Sequence, residues 1–323
     1  MQRETSQSST RRIAIAAMLI ALGNIASRII GLIRESVIAS TFGASTAVEA
    51  FTAASALPTI LYDLLISGAI SAALVPIFSE YAEGEPDILW EIASTIITLA
   101  LLVLTLLVVI MVWQAPALIA LLAGGFPTDI QLLATQMVRW MLPAVVLMGL
   151  AGLITAILQA HQRFLLPAFT TSIYNLGIIL AVLFLTMRFG PLSMVVGVIL
   201  GAILQVLLQL PGLRGLLRYR PSLNLRHPGV KHILKLYAPV ALGISFSIVG
   251  IILDRNLASQ VGKGALAYMR YATTLVQFPL GLVAAAVSFA ILPSLSRMSS
   301  SGEDESFRPV SYTHLTLPTN REG

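Results

Sequence analysis

The sequence predicts an all-α polytopic membrane protein with about eight transmembrane helices. Three observations carry this. Charged residues make up 11% of the 323 positions against 57% hydrophobic ones, less than half the ~25% charge of a soluble domain. The apolar stretches are continuous, not ten-residue alternations, which selects helices over a β-barrel. The basic residues gather in the connections between those stretches, as the positive-inside rule requires.

The elements follow in chain order. Residues 1–11, polar and then basic, read as a cytoplasmic N-terminus, and the apolar run behind them lacks a small-residue cleavage site. It is therefore read as a retained first helix, 12–40. Further spans are predicted at 47–79, 88–113, 128–160, 165–188, 191–217, 231–259 and 264–296. Several exceed the ~20 residues that cross ~30 Å, so tilt or breaks are expected. Pro58, Pro143, Pro239 and Pro279 lie inside spans and predict broken helices. Trp90, Trp113 and Trp140 fall near span ends and read as interfacial belt residues.

Charge placement sets the orientation. With the N-terminus inside, Arg11, Arg12, Arg163, the cluster from Arg214 to Lys235, and Arg297 are cytoplasmic, while the outer loops hold only Arg188 and Lys263. This bias accounts for the net charge of +5. No stretch pairs basic residues with stacking aromatics, so nucleic acid is not an expected partner. The basic stretch 218–230 reads as a cytoplasmic linker between a six-helix lobe, 12–217, and a second bundle opening at 231–309. Segments 57–84 and 278–302 share a proline, a small-residue stretch and a Pro-x-Leu or Pro-x-Phe exit, the mark of a duplicated transporter half.

Chemistry concentrates in the first span. Arg28, Arg34 and Glu35 lie in an otherwise apolar helix, where an unpaired cation costs roughly 2.5–3.5 kcal/mol. Retained intramembrane arginines point to an anionic cargo, because the guanidinium fork matches phosphate. Six positions set Arg28 and Arg34 about 120° apart around a helix, so both would border a wide cavity. The simpler reading is that they pair with Glu35 or Glu49, or snorkel. His161, His227 and His232 are too dispersed for a metal set, no phosphate-binding loop for ATP occurs, and no catalytic triad assembles. No enzyme activity, cofactor or metal is expected.

Ser27-Arg28-Ile29-Ile30-Gly31-Leu32-Ile33-Arg34-Glu35 is similar to the opening signature of the MurJ/MviN family of lipid II flippases. Thr41-Phe42-Gly43-Ala44, Glu49-Ala50-Phe51, Leu57-Pro58, Gly68-Ala69, Val75-Pro76, Asn175, Gln209-Leu210-Pro211, Asp254-Arg255-Asn256-Leu257-Ala258-Ser259, Tyr271-Ala272, Phe278-Pro279 and Leu292-Pro293-Ser294-Leu295 extend the resemblance over about 12–308. It implies about fourteen helices in two pseudo-symmetric lobes, within the multidrug/oligosaccharidyl-lipid/polysaccharide exporter superfamily. On that count this chain holds the first lobe and the opening pair of the second. The tail 310–323 contains SYTHLTLPTNRE, which resembles a translated sequencing-adapter oligonucleotide and is set apart as foreign.

The resemblance implies movement of lipid-linked peptidoglycan precursor from inner to outer leaflet of the bacterial cytoplasmic membrane by alternating access. Arg28, Arg34, Arg255 and Arg270 would hold its diphosphate; Arg270 stands one turn before Thr274, where some members carry the arginine. Glu49, Glu35 and Asp254 would gate, Glu49 standing where an aspartate is common. The alternative for Glu49 is a charge favoured at a helix N-terminus. Membrane lipids and cell-wall synthesis proteins are the other expected partners. One departure bears on the head group: Tyr62-Asp63 stands where well-studied members carry two arginines. This leaves open export of another polyprenyl-diphosphate-linked oligosaccharide. A non-transporting scaffold or fragment is the reading of a different class.

Overall fold

A computed structural model describes the backbone of residues 2–301 other than Glu83, and side chains within 15–283 other than those of Ala16, Ser71 and Glu83. The proposed foreign tail, 310–323, lies outside the described residues. Helix α1 spans Gln2–Phe42. A continuous helical stretch, α2, spans Thr46–Ala82, followed by α3 (Pro86–Trp113), α4 (Ala115–Leu122), α5 (Thr128–Met141) and α6 (Ala144–Ala160). After a turn at Leu165–Ala168 come α7 (Thr170–Phe189) and α8 (Leu192–Gln209). Beyond a connection come α9 (Pro228–Val261) and α10 (Ala265–Ser301). No strand occurs among the described residues.

By length and hydropathy, six of these stretches qualify as membrane spans, and the bent pair α5–α6 makes a seventh. The expected count of about eight is thus six to seven among the described residues. The eighth expected span, 264–296, falls in α10, where side-chain description ends at Val283. Prolines act unequally. Pro143 breaks 128–160 into two helices meeting at 42°. At Pro58, Pro239 and Pro279 the helix continues. Instead, α2 is irregular just beyond Pro58, with π turns at Asp63–Ser67 and Ile70–Leu74.

Two expectations change. The predicted outer loop between the third and fourth spans contains α4, whose last turn is tied to α9: Asn256 Nδ2 donates to Leu121 O at 2.8 Å. The Gly125 amide then donates to Ser259 Oγ at 3.0 Å. Eight residues are too few to cross the bilayer, so hydropathy alone gives α4 no signal. Trp90 is buried at 4% exposure, unlike Trp113 at 77% and Trp140 at 62%. It faces the core beneath the linker rather than an interfacial belt. That linker folds back over α3, where Arg218 pairs with Asp87 and Asn224 donates to Glu91.

Packing is tightest in the α7–α8 hairpin, which lies against α1 and α6. Gly177 and Gly201 let the backbones touch: a Cβ on Gly201 would sit 2.6 Å from the Tyr174 carbonyl oxygen, and one on Gly177 would sit 2.6 Å from Gly201 Cα. Without a hydrophobic drive between helices in lipid, such close backbone contact is what holds them together. Gly201→Val is expected to destabilise by about 1–3 kcal/mol, read as a lower unfolding temperature in detergent. A wild-type midpoint would show that the hairpin is not held by this contact. Across the molecule, α10 lies along α1, and α9 lies against the π turns of α2. These two contacts build the site.

Candidate functional site

The first predicted site residues come from α1. Arg34 reaches back to its neighbour: Nη2 and Nε donate to Glu35 Oε1 at 2.5 and 3.0 Å. Its Nη1 donates to Asn175 Oδ1 of α7 at 2.7 Å. From α10, Arg270 completes a bidentate clamp, with Nε on Glu35 Oε2 and Nη2 on Oε1, each at 2.7 Å. Glu35 is only 4% exposed, so one buried carboxylate bridges two guanidiniums. Charge-assisted forks of this kind are the strong form of the hydrogen bond. The face of Phe51 adds a cation–π contact 5.0 Å from the Arg270 guanidinium carbon.

The remaining two arginines are held more loosely. Arg255 of α9 donates from Nη1 to the Thr52 carbonyl of α2 at 2.8 Å. Among the described residues Arg28 makes one long hydrogen bond, Nη1 to the Gln277 carbonyl at 3.4 Å. Two adjoining cavities collect all four cations. One, about 790 Å³, runs between α1, α7 and α10 and is lined by Arg28, Arg34, Tyr174, Asn175 and Gln277. The other, about 410 Å³, is lined by Arg34, Glu35, Phe51, Arg255 and Arg270. They share Arg34, Tyr174, Thr274 and Gln277. Among the described residues that line them Glu35 is the single carboxylate, so positive charge is in excess there.

Two predicted gating residues stand outside both cavities. Glu49, 1% exposed, accepts a 2.7 Å hydrogen bond from the Gly264 amide at the start of α10. Its partner here is a helix N-terminus, where a carboxylate is favoured, and not an arginine. Removing it strands a buried donor at a cost of about 1–3 kcal/mol. Glu49→Ala is therefore expected to unfold at lower temperature than Glu49→Gln, which retains an acceptor; equal midpoints would deny the cap. Asp254 is exposed and makes no ion pair among the described residues. In the sequence Asn175 and Phe51 stand out only as part of the family resemblance, and Gln277 does not stand out. An amide in the first third of the apolar helix α7 is the signal that marks Asn175. Tyr62 and Asp63 line neither cation-rich cavity. The Tyr62 phenol lies toward α6, within 3.4 Å of where a Cβ on Gly152 would be.

A bundle of apolar helices around a cation-lined cavity, with a bent span and crossing contacts between its opening and closing helix pairs, defines a polytopic membrane protein of transporter architecture. The family described as lipid II flippase MurJ matches residues 38–317, and the chain belongs to that family. The lipid II flippase MurJ of Burkholderia cenocepacia is 35% identical over 284 residues, covering 84% of this chain and 54% of that protein. A solved lipid II flippase MurJ in an inward closed conformation superposes with a TM-score of 0.74 at 28% identity, over 92% of this chain and 61% of that one. A Vibrio cholerae MATE transporter shares the fold at a TM-score of 0.64 and 14% identity, over 95% and 70%. The chain spans a little over half the length of the MurJ relatives it matches.

Proposed function

We propose that this chain forms the cation-lined part of a flippase that moves lipid II from the inner to the outer leaflet of the bacterial cytoplasmic membrane. The observation that carries this reading is the convergence of Arg28, Arg34, Arg255 and Arg270 on adjoining cavities with one carboxylate among them. A diphosphate offers several acceptor oxygens in one small group, and guanidinium forks bind such oxygens in pairs. Catalysis is not needed; the work is binding and exposure to alternate sides. Family membership supports the substrate, since the matching relatives are named for it.

The chain's own residues suggest the order of events. Glu35 occupies Arg34 and Arg270, so an entering diphosphate competes for both and loosens the tie between α1 and α10. Arg255 and Glu49 join α2 to α9 and to the start of α10, and they gate by making or releasing those ties. The bias of basic residues toward one set of connections supports a cytoplasmic N-terminus. An anion carried outward then moves with an inside-negative potential, worth about 2.3 kcal/mol per charge per 100 mV. Lipid II binding to the purified chain in lipid nanodiscs, measured by native mass spectrometry, tests the assignment. Specific binding over a phospholipid of equal charge is expected; equal binding of both would sink it.

A further inference from the structure

We infer that Asp63 is the ligand of a monovalent cation, H+ or Na+, at a second intramembrane site in the seam between α2 and α9. The site is distinct from the cation-lined cavities and does not rest on the identity of the transported lipid. Asp63 opens the first π turn of α2. Such single-turn insertions shift side chains off the helical register and leave a backbone carbonyl without its usual donor. Asp63 lines a cavity of about 400 Å³, with Ser67 of α2 and Ser247 of α9 contributing hydroxyls and Ile60, Ile244 and Ile248 most of the remaining wall. The polar groups therefore sit on both sides of the seam, Asp63 half-buried and both serines exposed, with isoleucines framing them.

Asp63 makes no ion pair and accepts no side-chain hydrogen bond among the described residues, where the ion pairs are Arg34–Glu35, Arg218–Asp87 and Arg270–Glu35. None of the four intramembrane arginines lines its cavity. Arg255, one turn beyond Ile251 on the same helix, is committed to the Thr52 carbonyl. The titratable neighbour on α2 is Tyr62, whose phenol lies toward Gly152, and α9 presents only Ser247 and isoleucines to this cavity. An uncompensated carboxylate midway along an apolar span is unfavourable. A bound proton removes its charge by forming the acid; a sodium ion does so with carboxylate and hydroxyl oxygens as ligands. The seam itself closes tightly beside it: a Cβ on Gly68 would lie 2.6 Å from Ile244 Cδ1 and 3.1 Å from Val240 Cγ1. Cation uptake at Asp63 thus favours the packed arrangement of α2 on α9, and cation loss favours its opening.

The test uses the purified full chain in nanodiscs with two probes. One is binding of radioactive ²²Na+; the other is the carboxylic acid C=O band in infrared difference spectra taken across neutral pH. The wild type is expected to show one of these signals. Asp63→Asn should lose it, with at least a tenfold fall in Na+ affinity or disappearance of the band, while Asp63→Glu retains it. Asp87→Asn, at an exposed ion pair, serves as control and should change neither. Thermal unfolding profiles establish that each variant is folded. A sodium signal identifies Na+ as the ligand, and a band without sodium binding identifies H+. Absence of both signals from the wild type, or an undiminished signal in a folded Asp63→Asn protein, overturns the inference.

Discussion

Replacing Glu35 with glutamine is expected to destabilise the protein by about 3–5 kcal/mol, the usual cost of removing one partner from a buried ion pair. Here the loss is compounded, because Arg34 and Arg270 share that single carboxylate at 2.5 and 2.7 Å. Their guanidiniums would then face each other with neutral partners alone: the introduced glutamine amide, the Asn175 amide and the face of the Phe51 ring. The unfolding midpoint in detergent should fall on the order of 10 °C, taking roughly 2–4 °C per kcal/mol. A short-chain prenyl diphosphate supplies the countercharge that the substitution removes. It should therefore raise the midpoint of Glu35→Gln more than that of the wild type, where it must first displace a carboxylate. A ligand at a hundred times its Kd stabilises by about 2.7 kcal/mol, which sets the scale of the rescue. An unshifted midpoint would mean that the clamp contributes little. Equal stabilisation of both proteins by the ligand would mean that the diphosphate does not enter between Arg34 and Arg270.

The membrane spans were legible because hydropathy is a one-dimensional property. Twenty apolar residues report a span whatever they pack against. What escaped depends on neighbours. Pro143 bends its span while Pro58, Pro239 and Pro279 do not interrupt theirs, and no local pattern separates the two outcomes. The π turns of α2 were hidden for the same reason: Asp63–Ser67 reads as ordinary helix, and its register shift shows only against α6 and α9. Trp90 near a span end resembles a belt residue until the linker is seen to fold over α3.

The candidate site divides along similar lines. Four arginines in apolar helices are conspicuous in any sequence because their insertion is costly, and the fold brings all four to adjoining cavities. Their partners were not legible. Adjacent helical residues normally diverge, yet the long Arg34 side chain curls back onto Glu35. Asn256 and Ser259 belong to the Asp-Arg-Asn-Leu-Ala-Ser motif, but only the presence of α4 shows why an amide and a hydroxyl are there. Glu49 carried the right residue type for a gate and the right location for a cap. Its contact with Gly264 links it to the start of α10, 215 positions away.

Arg28 and Arg34 offer the sharper comparison, since the same substitution should act on different properties. Arg28 is exposed and holds one contact at 3.4 Å, near the upper limit for a hydrogen bond. Its side chain lies over Gly281, where a Cβ would come within 2.6 Å of Arg28 Nε, so the guanidinium rests on α10 without being locked to it. Arg28→Ala should change stability by no more than about 0.5 kcal/mol, as for other weakly engaged positions. Hydrogen bonds to charged groups contribute about 1.5–3 kcal/mol each. The loss of one such contact to the diphosphate should thus weaken lipid II binding by roughly tenfold to a hundredfold. Arg34→Ala should weaken binding comparably and also lower the unfolding midpoint, because it strips Glu35 and Asn175 of a shared donor. Arg28→Lys keeps the charge but loses the fork and should fall between Arg28→Ala and wild type. Binding and unfolding measured on the same preparations separate these outcomes. If Arg28→Ala binds lipid II as the wild type does, the larger cavity is not where the diphosphate sits, and the four arginines serve to tie α1 and α2 to α9 and α10 instead.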